Sequence, residues 1–337
     1  MSRRRWGCAL ALGAGLVLLC GGAGGSLAVV VGGPVAVVVA ARHAEGVSAA
    51  AGAPDGGRFL PGPDGPLHVL DRGTGPVVVL VHGSGAWSGA WRDTTEALVD
   101  SGYRVVAVDL PPFGYSARPT DASYDRPAQA ERLLAVVDAL DVSQAVWVGH
   151  SFGGGPTLEL ALRHPDRVGG LALVDVALAL DDTDEVDAVD RLLGIGAARQ
   201  FLVACTFSNR WATQRLLAGF VADPADATAD RVAIYQRPLD VEGTTAATAA
   251  WLPELWSPTR PAFSLEPDAI TAFDVPTAVI WGTADTVTPI EQGRQLVDLL
   301  PQGELHPLEG LGHIPLIEDP DAFHAVLLPY VAQVTGR

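Results

Sequence analysis

The chain has 337 residues, 48% hydrophobic and 18% charged, enough apolar material for one large α/β domain or two smaller ones. With 39 acidic against 22 basic residues the formal net charge is −17, a balance that repels phosphate backbones and excludes nucleic acid as a partner. There is no lysine, so a Schiff base or a lysine general base is excluded as well.

The N-terminus stands apart. Arg3, Arg4 and Arg5 precede a run from Trp6 to Ala41 without a charged residue. A helix needs about 20 apolar residues to cross the hydrocarbon core, and glycines interrupt this run at residues 21–25 and 32–34. It reads as one uncleaved signal anchor over residues 1–41, with the arginines inside and the catalytic domain extracytoplasmic. The alternative is a secreted protein, cleaved after Ser26-Leu27-Ala28, although cleavage there leaves an apolar new N-terminus. Lipidation at Cys20 is disfavoured by the bulky Leu19 before it. Cys8 and Cys20 lie in the apolar run, so Cys205 stands alone beyond it, with no partner for an intradomain disulfide, and reads as a small buried hydrophobe.

Residues 42–66 are rich in Ala, Gly and Pro without periodicity and read as a linker. Short apolar runs then alternate with helical spacings. The expected strands begin at Leu67 ("LHVLD"), Val77 ("VVVLVHG"), Arg104 ("RVVAVDL"), Ala145 ("AVWVGHS"), Leu171 ("LALVDVA"), Thr277 ("TAVIWGT") and Glu304 ("ELHPLE"). Continuous apolar runs of that length suit strands buried on both faces, and the alternation predicts an α/β fold, a mostly parallel sheet with helices on both sides. From Val176 to Phe273 no buried strand is evident. That interval, with Phe201, Phe207, Trp211, Phe220, Trp251 and Trp256, reads as a helical cap inserted into a core of residues 67–175 and 274–337. Most of these aromatics are expected to form the cap's own core, and one or two to face a pocket.

In an open parallel sheet ligands bind beyond the carboxyl ends of the strands. Ser151, in Gly149-His150-Ser151-Phe152-Gly153, follows a strand and precedes a helical spacing, and a sharp strand-to-helix turn there needs small neighbours. The stretch lacks the lysine and spacing of a phosphate-gripping loop. A serine hydroxyl needs a base. Of eight histidines, His43 lies in the linker, His68 and His306 in strands, His164 and His324 in helices, His82 opens a loop, and His150 should point away from Ser151. His313, in a loop between Gly310 and Pro315, is left as the base. Asp285, after the strand at Thr277, is the expected acid, with Asp175 as runner-up at the end of the strand that follows the serine's. Backbone amides should hold the oxyanion: Phe152 just after the serine, and Ser84, preferred over Gly85, in "HGSGAW".

These pieces, in this order, resemble the α/β-hydrolase family from about Leu67 to about Val331, through "HGSGAWSGAW", "DLPPFGYSARP", "GHSFGG", "WGTADTVTP" and "GHIPLIEDP". The pattern is similar to the capped branch with esterases, carbon–carbon bond hydrolases and proline iminopeptidase-like enzymes. Epoxide hydrolases and haloalkane dehalogenases share the D-x-x-x-F/Y-G-x-S-x-x-P turn but use an aspartate nucleophile, against which Ser151 argues. The chain departs from the pattern at "PPFG", where "PGFG" or "RGFG" is usual, and that loop is stiffer. The resemblance implies an acyl-enzyme serine hydrolase of a small carboxylic ester, needing no cofactor and no metal. Carbon–carbon cleavage, aminopeptidase or perhydrolase activity on the same triad is the alternative, and a non-catalytic binding protein a more distant one. The expected partners are a small-molecule substrate and the membrane; the sequence leaves the oligomeric state open.

Overall fold

In the computed structural model, residues 28–178 and 188–337 are described. Eight strands form one sheet: β1 (Gly57–Leu60), β2 (Leu67–Gly73), β3 (Val77–Val81), β4 (Arg104–Val108), β5 (Ala145–His150), β6 (Val168–Val174), β7 (Thr277–Gly282) and β8 (Gly303–Leu308). Their order is β1-β2-β4-β3-β5-β6-β7-β8. β1 and β2 pair antiparallel and β2 meets β4 antiparallel, while every pair from β4 to β8 is parallel.

The helices are α1 (Ala28–Ala44), α2 (Ala49–Gly52), α3 (Arg92–Asp100), α4 (Arg126–Ala139), α5 (Gly154–Arg163), α6 (Ala188–Leu193), α7 (Gly196–Cys205), α8 (Thr213–Phe220), α9 (Ala229–Gln236), α10 (Thr244–Trp256), α11 (Pro267–Thr271), α12 (Ile290–Leu299), α13 (Pro315–Glu318) and α14 (Pro320–Thr335). Successive side chains of a strand face opposite ways, so apolar runs without alternation bury both faces. Val79 and Val81 of β3 join Leu133 of α4, Leu158 of α5 and Leu296 of α12 in one core. Val78 and Leu80 of the same strand join Leu98 of α3 and Phe323 and Leu327 of α14 in the other. The mostly parallel sheet covered on both faces is the fold read from the sequence.

Between β6 and β7 the described residues form the helical cap, α6 to α11. A buried arginine ties it to the core. Arg126, in the first turn of α4, donates to the carbonyls of Ala177 and Leu178 at 3.1 and 2.8 Å and to Ser264 Oγ at 3.3 Å. Glu159 of α5 accepts from Ser264 N at 2.7 Å and supplies a compensating charge nearby. Burial pushes the Arg126 guanidinium down to about 10, still charged at neutral pH.

The expected signal anchor needs correction. Residues 1–27 lie outside the described residues, and no helix among the described residues is long and apolar enough to cross a membrane. The rest of the apolar run is α1, a 17-residue helix with Pro34 inside it, and it is joined to the cap. Arg42 donates to Gln200 Oε1 of α7 at 2.8 Å, and the Glu45 carboxylate accepts from the Thr245 amide at 2.8 Å and from the Thr245 hydroxyl. The membrane as a partner and a membrane-anchored location rested on a spanning helix in that run, and the described residues hold none. Residues 42–66 also carry structure where a linker was expected. Val47 bridges to Val241 of the cap, and β1 adds an antiparallel edge to β2. "GRFL" has neither an apolar run nor alternation, so its pairing comes from the neighbouring edge rather than from its own pattern.

Replacing Arg126 by methionine leaves two carbonyls without their donor and removes one of two positive charges near Glu159, which keeps Arg163 at 2.7 Å. The substitution is expected to cost about 3 kcal/mol in urea unfolding. A change below about 1 kcal/mol would show that Arg126 does not secure the cap.

Candidate active site

The parallel strands run the same way, so the turns after β3, β5, β6, β7 and β8 open on one edge of the sheet. Ser151 sits there in the first turn after β5, at φ +51°, a left-handed conformation that non-glycine residues rarely hold. Packing enforces it. A Cβ at Gly153 would lie 2.3 Å from the carbonyl oxygen of His82, so only glycine lets the turn lie this close to the loop after β3. That loop in turn touches the serine, since a Cβ on Gly83 would come within 3.0 Å of Ser151 Cβ.

His313 Nε2 lies 2.8 Å from Ser151 Oγ, and His313 Nδ1 lies 2.8 Å from Asp285 Oδ2. With Asp285 ionised, Nδ1 carries the proton and donates it, and Nε2 is left to accept from the serine hydroxyl. Asp285 Oδ1 accepts from the amides of Val287 and Thr288 at 2.7 and 3.0 Å, and Oδ2 from the Thr288 hydroxyl at 2.7 Å. Burial pushes this carboxyl up, but the His313 imidazole and the hydrogen bonds from His313 and Thr288 outweigh it and hold Asp285 below its ordinary value. The His313 loop is tied to the cap. His313 N donates to Phe220 O at 3.0 Å, and the Glu318 carboxylate gathers the amides of Gly312, Ile314 and Ala222.

Ser84 occupies the turn from Gly83 to Ala86, closed by the Ala86 amide on Gly83 O at 3.3 Å, with Gly85 at φ +67°. Phe152 is the second residue of the short helix that Ser151 opens. Among the described residues, neither amide meets an acceptor outside its own turn. The Phe152 ring packs edge-on against Trp251 at 5.0 Å, and Phe113 and Phe207 meet the same indole at 4.8 and 5.8 Å. Trp251 of α10 is thus the cap residue beside the serine turn, whereas Trp211 is 91% exposed.

The structure brings Ser151, His313 and Asp285 into one hydrogen-bonded chain. It leaves Asp175 behind Asp285, without a bond to His313. Two residues here escaped the sequence. Thr288 ends the turn that Asp285 begins, and a hydroxyl three residues after an aspartate was the available signal. His150 does avoid Ser151, but its Nε2 lies 2.8 Å from the carbonyl of His313 and so donates to it, across 163 residues of chain that no spacing rule reaches. His68 and His82 both belong to the network around Asp109. His68 Nδ1 lies 2.8 Å from Asp109 Oδ2, and His82 Nε2 accepts from Leu110 N at 2.9 Å.

Burial pushes His150 down to about 3, and the nearby His313 adds to the shift, so His150 is neutral in the folded protein at working pH. The unfolded chain takes up that proton near pH 6.5. Unfolding therefore binds a proton in this range, and stability falls as the pH drops from about 6.5 toward 3, by about 1.4 kcal/mol per unit from this residue. In His150→Gln the slope of unfolding free energy against pH between about 4 and 6 should flatten by that amount. Equal slopes in denaturant titrations would contradict a buried neutral His150.

Residues 76–320 match the family model described as alpha/beta hydrolase fold. A 2-hydroxymuconate semialdehyde hydrolase of Pseudomonas sp. (strain CF600) is 31% identical over 269 residues, 78% of this chain and 89% of its own. A 2-hydroxy-6-oxo-6-phenylhexa-2,4-dienoate hydrolase of Burkholderia cepacia is 27% identical over 278 residues, 79% of this chain and 91% of its own. Among solved structures, an esterase from Exiguobacterium antarcticum superposes with a TM-score of 0.67 at 22% identity, over 82% of this chain and 99% of its own, a likeness of fold alone. With the family match spanning most of its length and the nucleophile-like turn, the histidine loop and the acid all at one sheet edge, the chain belongs to the alpha/beta hydrolase fold family.

Proposed function

We propose that the protein is a serine hydrolase that cleaves a carbon–carbon bond beside a ketone in a small unsaturated oxo acid. The observation that carries the hydrolase reading is the unbroken chain from Ser151 Oγ through His313 to Asp285, with both bonds at 2.8 Å. In this reading His313 Nε2 takes the serine proton as Oγ attacks the carbonyl carbon, Asp285 stabilises the imidazolium, and the amides of Phe152 and Ser84 receive the oxyanion. Collapse of the tetrahedral adduct breaks the bond to the leaving group, which takes the proton from His313. Water, deprotonated by the same histidine, then releases the acyl group from Ser151.

The bond type rests on the relatives. A 2-hydroxy-6-oxo-dienoate carries neither ester nor amide, so its hydrolysis must break a carbon–carbon bond; once the enol proton has moved to carbon 5 to give the 2-oxo tautomer, the departing fragment is a conjugated dienolate that can hold the carbanion's charge. A small ester, the first reading of the sequence, is cleaved by the same steps with an alkoxide leaving. It has less support, because the likeness to an esterase is one of fold. The apolar cluster of Phe113, Phe152, Phe207 and Trp251 suits either acyl group.

Ser151→Ala should abolish fluorophosphonate labelling and lower kcat by roughly 10⁴-fold or more, with thermal stability retained. Equal labelling of both proteins would refute the nucleophile. A panel of 2-hydroxy-6-oxo-dienoates and p-nitrophenyl esters decides the bond: kcat/KM at least about tenfold higher for the dienoates is expected, and the reverse order would favour the ester.

A further inference from the structure

Asp175 follows directly after β6 at φ +45°, fully buried. Its Oδ1 accepts from Gly282 N at 2.8 Å, at the end of β7, and its backbone carbonyl accepts from Thr288 Oγ1 at 3.2 Å. Its Oδ2 is buried and, among the described residues, meets no N–H or O–H donor. The Asp285 carboxylate is a neighbour of this side chain, and Thr288 Oγ1 lies between the two residues, 3.2 Å from the Asp175 carbonyl oxygen and 2.7 Å from Asp285 Oδ2. Two buried carboxyl groups are therefore neighbours, and ionising both at once is disfavoured. The donors decide which one holds the charge. Asp285 collects two amides, the Thr288 hydroxyl and His313 Nδ1, whereas Asp175 collects one amide. Two acceptors with no proton between them repel, and a proton on Asp175 turns the contact into a hydrogen bond.

We propose that Asp175 is a neutral carboxylic acid that donates its proton to the Asp285 carboxylate, a positioning residue that holds the charge and aim of Asp285 behind His313. The proposal rests on the hydrolase reading only for its effect on rate. Burial pushes the Asp175 carboxyl well above the usual range, and the charges of Asp285 and, more weakly, Glu318 add to it. His313 faces the pair from the far side of Asp285. The backbone agrees with the role, since aspartate and asparagine tolerate a left-handed conformation better than other side chains of their size.

The test follows from counting charge. Asp175→Asn replaces a neutral donor by a neutral donor and keeps the left-handed turn. The acid limb of its pH profile of kcat/KM should stay within about 0.3 unit of wild type, with kcat within about threefold. Asp175→Gly, which also fits φ +45°, removes the donor, and should lower kcat about tenfold or more with KM little changed. An acid limb shifted down by half a unit or more in Asp175→Asn would mean that the substitution removed a negative charge, and would overturn the proposal. Infrared spectra of unreacted wild-type protein at pH 7, unlabelled against ¹³C-aspartate-labelled, provide a readout that needs neither turnover nor a folded variant. A protonated-carboxyl band that moves with the label supports the proposal, and its absence overturns it. If fluorophosphonate labelling depends on Ser151 but no such band exists, this proposal fails and the hydrolase reading stands. If the band exists but Ser151→Ala still turns over substrate, the shared proton stands and the hydrolase reading fails.

Discussion

The hydrogen bond between Ser151 and His313 joins residues 162 positions apart, and the rest of the structure can be read as the means of bringing those two atoms within 2.8 Å. A parallel sheet makes this possible because it delivers the end of each strand to the same edge. β5 delivers the serine, β7 the acid and β8 the histidine loop, each through a short turn whose length leaves little freedom. The requirement is strict, since a shift of an ångström at any of the three turns would break the chain of bonds.

That closeness has a cost in side chains. The serine turn lies against the loop after β3 with no room for a Cβ at Gly153, and Ser151 itself sits in a left-handed conformation. Strain of this kind persists only where surrounding packing over-determines it. Here the restraint comes from β5, buried at all six positions, and from α5 immediately behind the serine. The histidine loop has no such strand beneath it, and its position is fixed by Phe220 O, Glu318 and His150, two of which lie outside its own loop. The cap is therefore part of the support of the His313 loop as well as a neighbour of the serine turn through Trp251.

The electrostatics follow the same logic. The site is buried, so each charge in it needs a compensating partner. Asp285 has donors on both oxygens and keeps its charge, while His150 and Asp175, poorer in partners, are pushed toward their neutral forms. One ionised carboxylate next to one imidazole is left, the arrangement that the proposed proton transfer from Ser151 requires.

Much of this was legible in the sequence, because β3 to β7 are nearly continuous apolar runs, as strands buried on both faces are written. The serine turn was legible for a similar reason, since glycines before and after a serine at a strand end record a steric demand. β1 was not, because an edge strand draws its order from its neighbour. The described part of the apolar N-terminal run, residues 28–41, belongs to a helix whose packing composition does not record: Arg42 of α1 meets α7, and Glu45 just after it meets Thr245 in the first turn of α10. What the sequence determined by itself was the periodicity, hence the sheet, and the residue types able to do the chemistry. Which aspartate reaches His313, which histidine braces it, and where α1 docks were decided only by tertiary structure, because those contacts join strand ends and loops whose separation along the chain carries no information about their separation in space.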